Sequence, residues 1–185
     1  MKELSLNVLD VTENSVKAGA TLTEIGITET DTELIISIKD NGCGMSEEVV
    51  QSVTDPFYTT RTTRRVGLGI PLFKLAAEMT GGRLEIESKA KEQFPEGHGT
   101  TVTAYFFKTH IDFTPLGDIV STITTLIQGH ADVDFIFTHT WGESCVSLDT
   151  RDLRAMLDDV PLDTYEVIKW IEGYLIEQYD NFFKK

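Results

Sequence analysis

The chain has 185 residues, 41% hydrophobic and 25% charged, with a formal net charge of −14. That composition is globular and excludes a disordered polypeptide. The charge excludes non-specific nucleic-acid binding, which needs lysine and arginine clustered against phosphate. Two cysteines, Cys43 and Cys145, stand too far apart in sequence for a metal motif and are too few for a disulfide framework. No stretch approaches the ~18 apolar residues of a membrane span. The expectation is a cytoplasmic protein with reduced thiols and neither nucleic acid nor membrane as partner. The charge is uneven: residues 1–108 carry 11 basic and 16 acidic side chains, and residues 109–185 carry 5 and 14. The acidic second part suits a basic protein surface.

In chain order, residues 2–18 predict a helix, with Leu4, Leu6, Leu9, Val11 and Val16 as its apolar stripe and Gly19 as its stop. Residues 21–29 and 33–39 alternate as strands, joined by Thr30-Asp31-Thr32. Ser46 caps a short helix that carries Glu47 and Glu48 in its first turn. Residues 54–66 lack a period and are rich in threonine and arginine, which predicts a loop. A helix follows from Gly67, with Pro71 in its first turn and Gly81-Gly82 at its end. Strands are expected at 83–88 and 100–107. Beyond a soft boundary at 109–115 the pattern predicts a helix from Pro115 to about Gly129 and a hairpin of 133–139 and 144–148. Two further helices are expected, at 151–158 and about 163–183, the last one amphipathic. Cys145 is expected in the core; Trp141, Trp170 and the aromatic C-terminal helix read as core or, alternatively, as a docking or dimer surface.

Four short motifs in the first hundred residues carry the chemistry. Asp10, Asn14 and Lys17 are spaced to share one helical face. The Asn14 carboxamide oxygen suits Mg²⁺, Lys17 suits phosphate, and Asp10 suits orientation or deprotonation of a nucleophile. A solvated polar face explains the same three residues when they are taken alone. Asp40 ends a strand and is followed by Gly42 and Gly44, either as a plain tight turn or as a carboxylate accepting from an adenine amino group beside backbone. Gly67-Leu68-Gly69 ahead of a helix offers free N–H groups to phosphate. Gly97-His98-Gly99-Thr100 is a turn whose threonine hydroxyl can face a base.

Together and in this order the motifs resemble the GHKL superfamily of gyrase, chaperone and MutL ATPases and histidine kinases. Asn14–Ala18 resembles the N box and Asp40–Gly44 the first glycine box. Asp55–Arg61, with Phe57, Thr60 and Arg61, resembles the F box of sensor histidine kinases. Gly67–Leu72 resembles the second glycine box and Gly97–Thr100 the third. The resemblance covers roughly residues 1–107. It implies an α/β fold, a two-layer α+β sandwich of the Bergerat ATP-binding type, followed here by an α+β extension. Residues 1–108 would form the histidine kinase-like domain, and 109–185 an acidic extension packed on it or used for a partner or a dimer.

The resemblance further implies Mg²⁺ on Asn14, adenine on Asp40, phosphates against Gly67, Leu68 and Gly69, and a lid at about 58–66. Lys17, Gly42, Gly44, Phe57, Thr60, Arg61 and Thr100 complete the ATP-contacting set, and Asp10 is the catalytic candidate. The thirteen residues before Asn14 hold no helical hairpin with a phosphoacceptor histidine, so autophosphorylation is not expected. Asp10 stands where the family's ATPases carry a glutamate, one methylene longer. Three functions follow: a slow Mg²⁺-ATPase acting as a regulatory switch, a protein kinase acting in trans, or an interaction module keeping ATP as a structural cofactor.

Overall fold

The computed structural model describes residues 3–54, 68–158 and 160–182. The elements are α1 (Leu4–Lys17), β1 (Leu22–Glu29), β2 (Glu33–Asp40), α2 (Glu47–Val53), α3 (Gly69–Met79), β3 (Arg83–Lys89), β4 (Gly99–Phe107), α4 (Ile119–Gly129), β5 (Asp134–Trp141), β6 (Ser144–Asp149), α5 (Thr150–Leu157) and α6 (Tyr165–Phe182). The strands form one mixed sheet in the order β3-β4-β2-β1-β5-β6. β5 runs parallel to β1, with Ile25 opposite Phe137, and every other pair is antiparallel.

Alternation sets the layers. Ile25 and Ile27, Leu34, Ile36 and Ile38, Val102, Ala104 and Phe106, Phe135 and Phe137, and Val146 and Leu148 are all buried. They lie on one face of the sheet, because successive strand side chains point to opposite sides. Helices α1, α3, α4 and α6 pack on that face. The opposite face carries Ser37, Thr101, Thr103, Thr138 and Ser147, none of them buried. This is the two-layer α/β sandwich expected from the motifs, and the strands of the extension continue the same sheet.

Several local readings change. The buried stripe of α1 is Leu4, Val8, Val11 and Ser15, with Leu6 exposed. That stripe follows helical spacing, whereas Leu6 falls on the outer face. Helix α4 starts at Ile119, capped by the Asp118 carboxylate, which accepts from Ser121 N at 2.9 Å. It does not start at Pro115, because the Pro115 and Leu116 carbonyls accept from Leu4 N and Ser5 N at the start of α1. Cys145 is exposed, since it alternates with the buried Val146. Trp170 is 52% exposed and stacks on Tyr174 with ring centroids 5.1 Å apart. Trp141 is partly buried and packs against the core.

Candidate functional site

The candidate residues meet where α1 crosses the carboxyl end of β2. The Asp40 carboxylate is fixed by three donors. Ser15 Oγ donates to Oδ2 at 2.7 Å, while Gly42 N and Thr100 N donate to Oδ1 at 2.8 and 3.3 Å. Each carboxylate oxygen has two lone pairs, so Oδ1 is filled and Oδ2 keeps one acceptor position. Thr100 Oγ1 lies 2.8 Å from Ser88 Oγ, which accepts from Met45 N at 2.8 Å.

The 40–44 turn is held on both sides. Cys43 N donates to Ala18 O at the end of α1, and Lys91 N donates to Cys43 O from the loop after β3. Gly44 has φ +67°, and a Cβ there would lie 1.9 Å from the Lys89 carbonyl oxygen. Only glycine permits that crossing. Gly69 opens α3 against α1: a Cβ on it would stand 3.0 Å from Asp10 Cβ. The helix start, whose first N–H groups have no partner within the helix and whose end is positive, is thereby set beside the exposed Asp10.

A cleft of about 360 Å³ results, within the ~300–1,000 Å³ range of small-molecule sites. Val11, Met45, Val49, Ile70 and Val102 supply its apolar walls, and Asn14, Lys17, Asp40, Gly44 and Thr100 its polar or close-approach positions. Lys17 is 70% exposed at the rim and only 4.0 Å from Glu13, so its ammonium is loosely engaged. Asp10, Gly42, Leu68 and Gly69 are not among the lining residues: Asp10 and Gly69 meet where α3 starts against α1, and Gly42 belongs to the turn that holds Asp40. Phe57, Thr60, Arg61, Gly67 and the expected lid at 58–66 lie outside the described residues.

Among the described residues no three of His, Cys, Asp and Glu gather as a metal site. Asn14 lines the cleft and brings a carboxamide oxygen, a hard ligand, to it. That donor set fits Mg²⁺, which takes one or two protein ligands and completes its shell with phosphate and water.

Ser15 is a site residue that sequence reading misses. Its hydroxyl orients Asp40, 25 residues later, and nothing in a helical serine signals this. A second polar cluster is also unheralded. It lies at the other end of β1, about 20 Å from Asp40 at ~3.3 Å per strand residue. There Glu29 pairs with Lys108, and the 1% exposed His139 sits between Glu29 Oε2 (3.1 Å) and the Tyr179 hydroxyl (2.8 Å). Burial pushes the His139 pKa below its ordinary value, against the pull of Glu29. Burial and Glu29 push the Tyr179 hydroxyl up. The neutral ring therefore donates from Nε2 to the carboxylate and accepts the Tyr179 O–H at Nδ1. No helix of the described residues is long and apolar enough to cross a membrane.

Comparison with known proteins agrees with this geometry. The family model for histidine kinase-, DNA gyrase B- and HSP90-like ATPases matches residues 2–110. Sporulation kinase C of Bacillus subtilis (strain 168) is 31% identical over 90 residues, covering 49% of this chain and 21% of that protein. Sensor protein SrrB of Staphylococcus aureus (strain NCTC 8325 / PS 47) is 34% identical over 108 residues, 55% of this chain and 17% of that one. The chain thus spans about a fifth of the length of these curated relatives. The Aquifex aeolicus MutL ATPase domain complexed with ADP superposes with a TM-score of 0.53 at 14% identity, over 96% of this chain and 70% of that one. The shared fold therefore reaches beyond residue 110 into β5, β6 and α6. With its family model matched over more than half its length, the chain belongs to the histidine kinase-, DNA gyrase B- and HSP90-like ATPases, a nucleotide-binding family.

Proposed function

We propose that this chain binds Mg·ATP in the cleft between α1, the 40–44 turn and the start of α3, hydrolyses it slowly, and thereby regulates a protein partner held by residues 109–185. Residues 1–108 form the nucleotide-binding unit in this reading, and 109–185 an extension packed upon it. The observation that carries it is the Asp40 carboxylate. Three donors fix it beside apolar walls, with one acceptor position left on Oδ2. An adenine amino group supplies the missing donor, whereas guanine presents a carbonyl at the same edge and meets an acceptor.

Asn14 would hold Mg²⁺ through its carboxamide oxygen, and the cation supplies charge neutralisation to the phosphates. Lys17 and the positive start of α3 at Leu68-Gly69 add to that field. Asp10, next to the same helix start, accepts the proton of an attacking water or hydroxyl. Phe57, Thr60, Arg61 and Gly67 complete the set on sequence grounds.

A second reading is phosphoryl transfer to another protein. It draws support from the name of the relative Sporulation kinase C and from Asp10 at the start of α3.

Calorimetric titration of ATP with and without Mg²⁺ tests the main reading. Asn14→Ala should remove most of the Mg²⁺ dependence, and Asp10→Asn should lower turnover while leaving affinity intact. Unchanged ATP and metal binding in Asn14→Ala overturns it. Transfer of label from γ-labelled ATP to a partner protein decides for the second reading.

A further inference from the structure

Outside the nucleotide cleft, the extension presents an aromatic groove that none of the preceding chemistry uses. It encloses about 300 Å³ between α5, α6 and the strands β5 and β6, the latter at the sheet edge. Trp170 and Tyr174 form one wall as a parallel stack, with rings 5.1 Å apart and 9° from coplanar. Met156, 69% exposed, and the buried Leu153, both from α5, also line it. Asp149 and Asp152 stand at its border.

The spacing explains why these aromatics lie outside. Val167, Ile171 and Leu175 take the buried face of α6, and Trp170 and Tyr174 each precede a buried residue by one position, about 100° around the helix. Exposing a tryptophan and a tyrosine side by side, with a methionine in the same groove, is a costly surface unless it is covered. Tryptophan and tyrosine are also the side chains that dominate binding energy at interfaces.

Two features define what covers it. The first is charge. Residues 109–185 carry 5 basic and 14 acidic side chains, and α6 alone carries Glu166, Glu172, Glu177 and Asp180 against Lys169. Lys169 is paired to Glu172 at 2.6 Å, and the Asp149 carboxylate is held by Arg151. Among the described residues lining the groove the charged ones are Asp149 and Asp152 and none is basic, although Arg151 pairs with Asp149 and feels Asp152 as well. A second copy of this chain or an anionic membrane is therefore repelled, and a cation is drawn in.

The second feature is the strand edge. The Gln178 side chain accepts from Ser147 N and donates to Ser147 O, both at 3.0 Å. The middle of β6 is thus closed to an added β-strand. Recognition must proceed through side chains.

From this geometry we infer that the Trp170–Tyr174–Met156 groove is the docking site for a basic, apolar segment of another protein. That segment inserts an aliphatic side chain between Met156 and the ring stack and lays an arginine over the stack toward Asp152. The guanidinium gains both the ring faces and the carboxylate. The inference rests on the reading that residues 109–185 hold a protein partner and names that partner's chemistry, while its test is separate from that of the nucleotide cleft.

Fluorescence anisotropy with the full chain and a short fluorescein-labelled peptide of arginine, leucine and alanine tests it. Two control peptides replace arginine by glutamate or leucine by serine. The arginine–leucine peptide should bind, and Trp170→Ala should weaken it roughly tenfold to thirtyfold. Asp152→Asn should weaken it a few-fold, and both controls should fail. ATP titration of Trp170→Ala should match the wild type, which shows the variant folded and separates this test from that of the nucleotide cleft. Binding that is absent, equal in Trp170→Ala, or equal for the arginine–serine peptide overturns the inference. Sedimentation showing Trp170-dependent self-association overturns it in favour of a second copy.

Discussion

Asp40→Asn separates the architecture of the cleft from its ligand chemistry. In the native cleft Oδ1 accepts from Gly42 N and Thr100 N, and Oδ2 from Ser15 Oγ. An asparagine keeps its oxygen on the two N–H groups and turns its amide nitrogen toward Ser15, whose hydroxyl rotates to accept. All three partners stay satisfied, and what is lost is the charge on the acceptor. Charge-assisted hydrogen bonds exceed neutral ones by about 1 kcal/mol each, and part of that gain is offset by the carboxylate's desolvation. The stability loss is therefore about 1–2 kcal/mol. For ATP the change is larger. The remaining Oδ2 acceptor becomes a donor that faces the adenine amino group, so a charged hydrogen bond is lost and two donors oppose each other. That amounts to about 3 kcal/mol, or roughly 150-fold in affinity. Urea denaturation and calorimetric ATP titration on the same preparation give both numbers. ATP affinity within threefold of wild type, in a variant that has lost only the small stability increment, refutes the placement of adenine on Asp40.

Other perturbations act elsewhere in the fold. Gly44→Ala combines a left-handed φ of +67° with a Cβ 1.9 Å from the Lys89 oxygen. It should cost about 2–5 kcal/mol in urea denaturation, and a loss under about 1 kcal/mol contradicts the crossing described here. His139 has its pKa held below the ordinary 6.5 by burial, so the unfolded chain takes up a proton that the native chain refuses. The associated stability is complete above pH 6.5 and is lost as pH falls through that value. Urea midpoints should drop on acidification below it, and His139→Gln should flatten this part of the profile. Parallel profiles for the two proteins count against a neutral buried ring.

The fold is legible in the sequence wherever alternation is strict. Ile25 and Ile27 against Leu34, Ile36 and Ile38 specify a hairpin with one buried face, and the structure has that face. The parallel pairing of β5 with β1 is not legible, because its register joins residues more than a hundred positions apart and depends on helices packed between them. Cys145, and Trp170 in its core reading, are misread when residue type outweighs spacing: each sits one step out of phase with a buried set, Val146 with Leu148 and Ile171 with Leu175. The start of α4 is hidden for a different reason. Pro115 opens many helices, but here its carbonyl and that of Leu116 satisfy the first N–H groups of α1. At the cleft, glycines and Asp40 are visible as motifs, while Ser15 gains its role only once β2 is folded beneath α1.

The extension is mechanically continuous with the nucleotide cleft. Leu4 N and Ser5 N donate to Pro115 O and Leu116 O at 3.0 and 2.8 Å, and Glu3 Oε2 accepts from Asp118 N at 3.1 Å. At the other end of α1, Glu13 Oε1 meets His130 Nε2 at 2.7 Å, one residue before Asn14. Helix α4 lies between these two attachments and packs in turn on α6, whose outer side bears Trp170 and Tyr174. The contacts α6–α4–α1 thus form one contiguous packed path from the outer aromatics to the helix that carries Asn14. Contiguity of this kind becomes coupling only if the two ligands read each other. Linkage then fixes the form of the result: the arginine–leucine peptide must change ATP affinity by the same factor by which ATP changes the peptide's affinity. A coupling of about 1–3 kcal/mol, lost in His130→Ala with both individual sites intact, supports regulation through α4. Two ligands that bind side by side without altering each other leave the extension as a docking platform and exclude a switch.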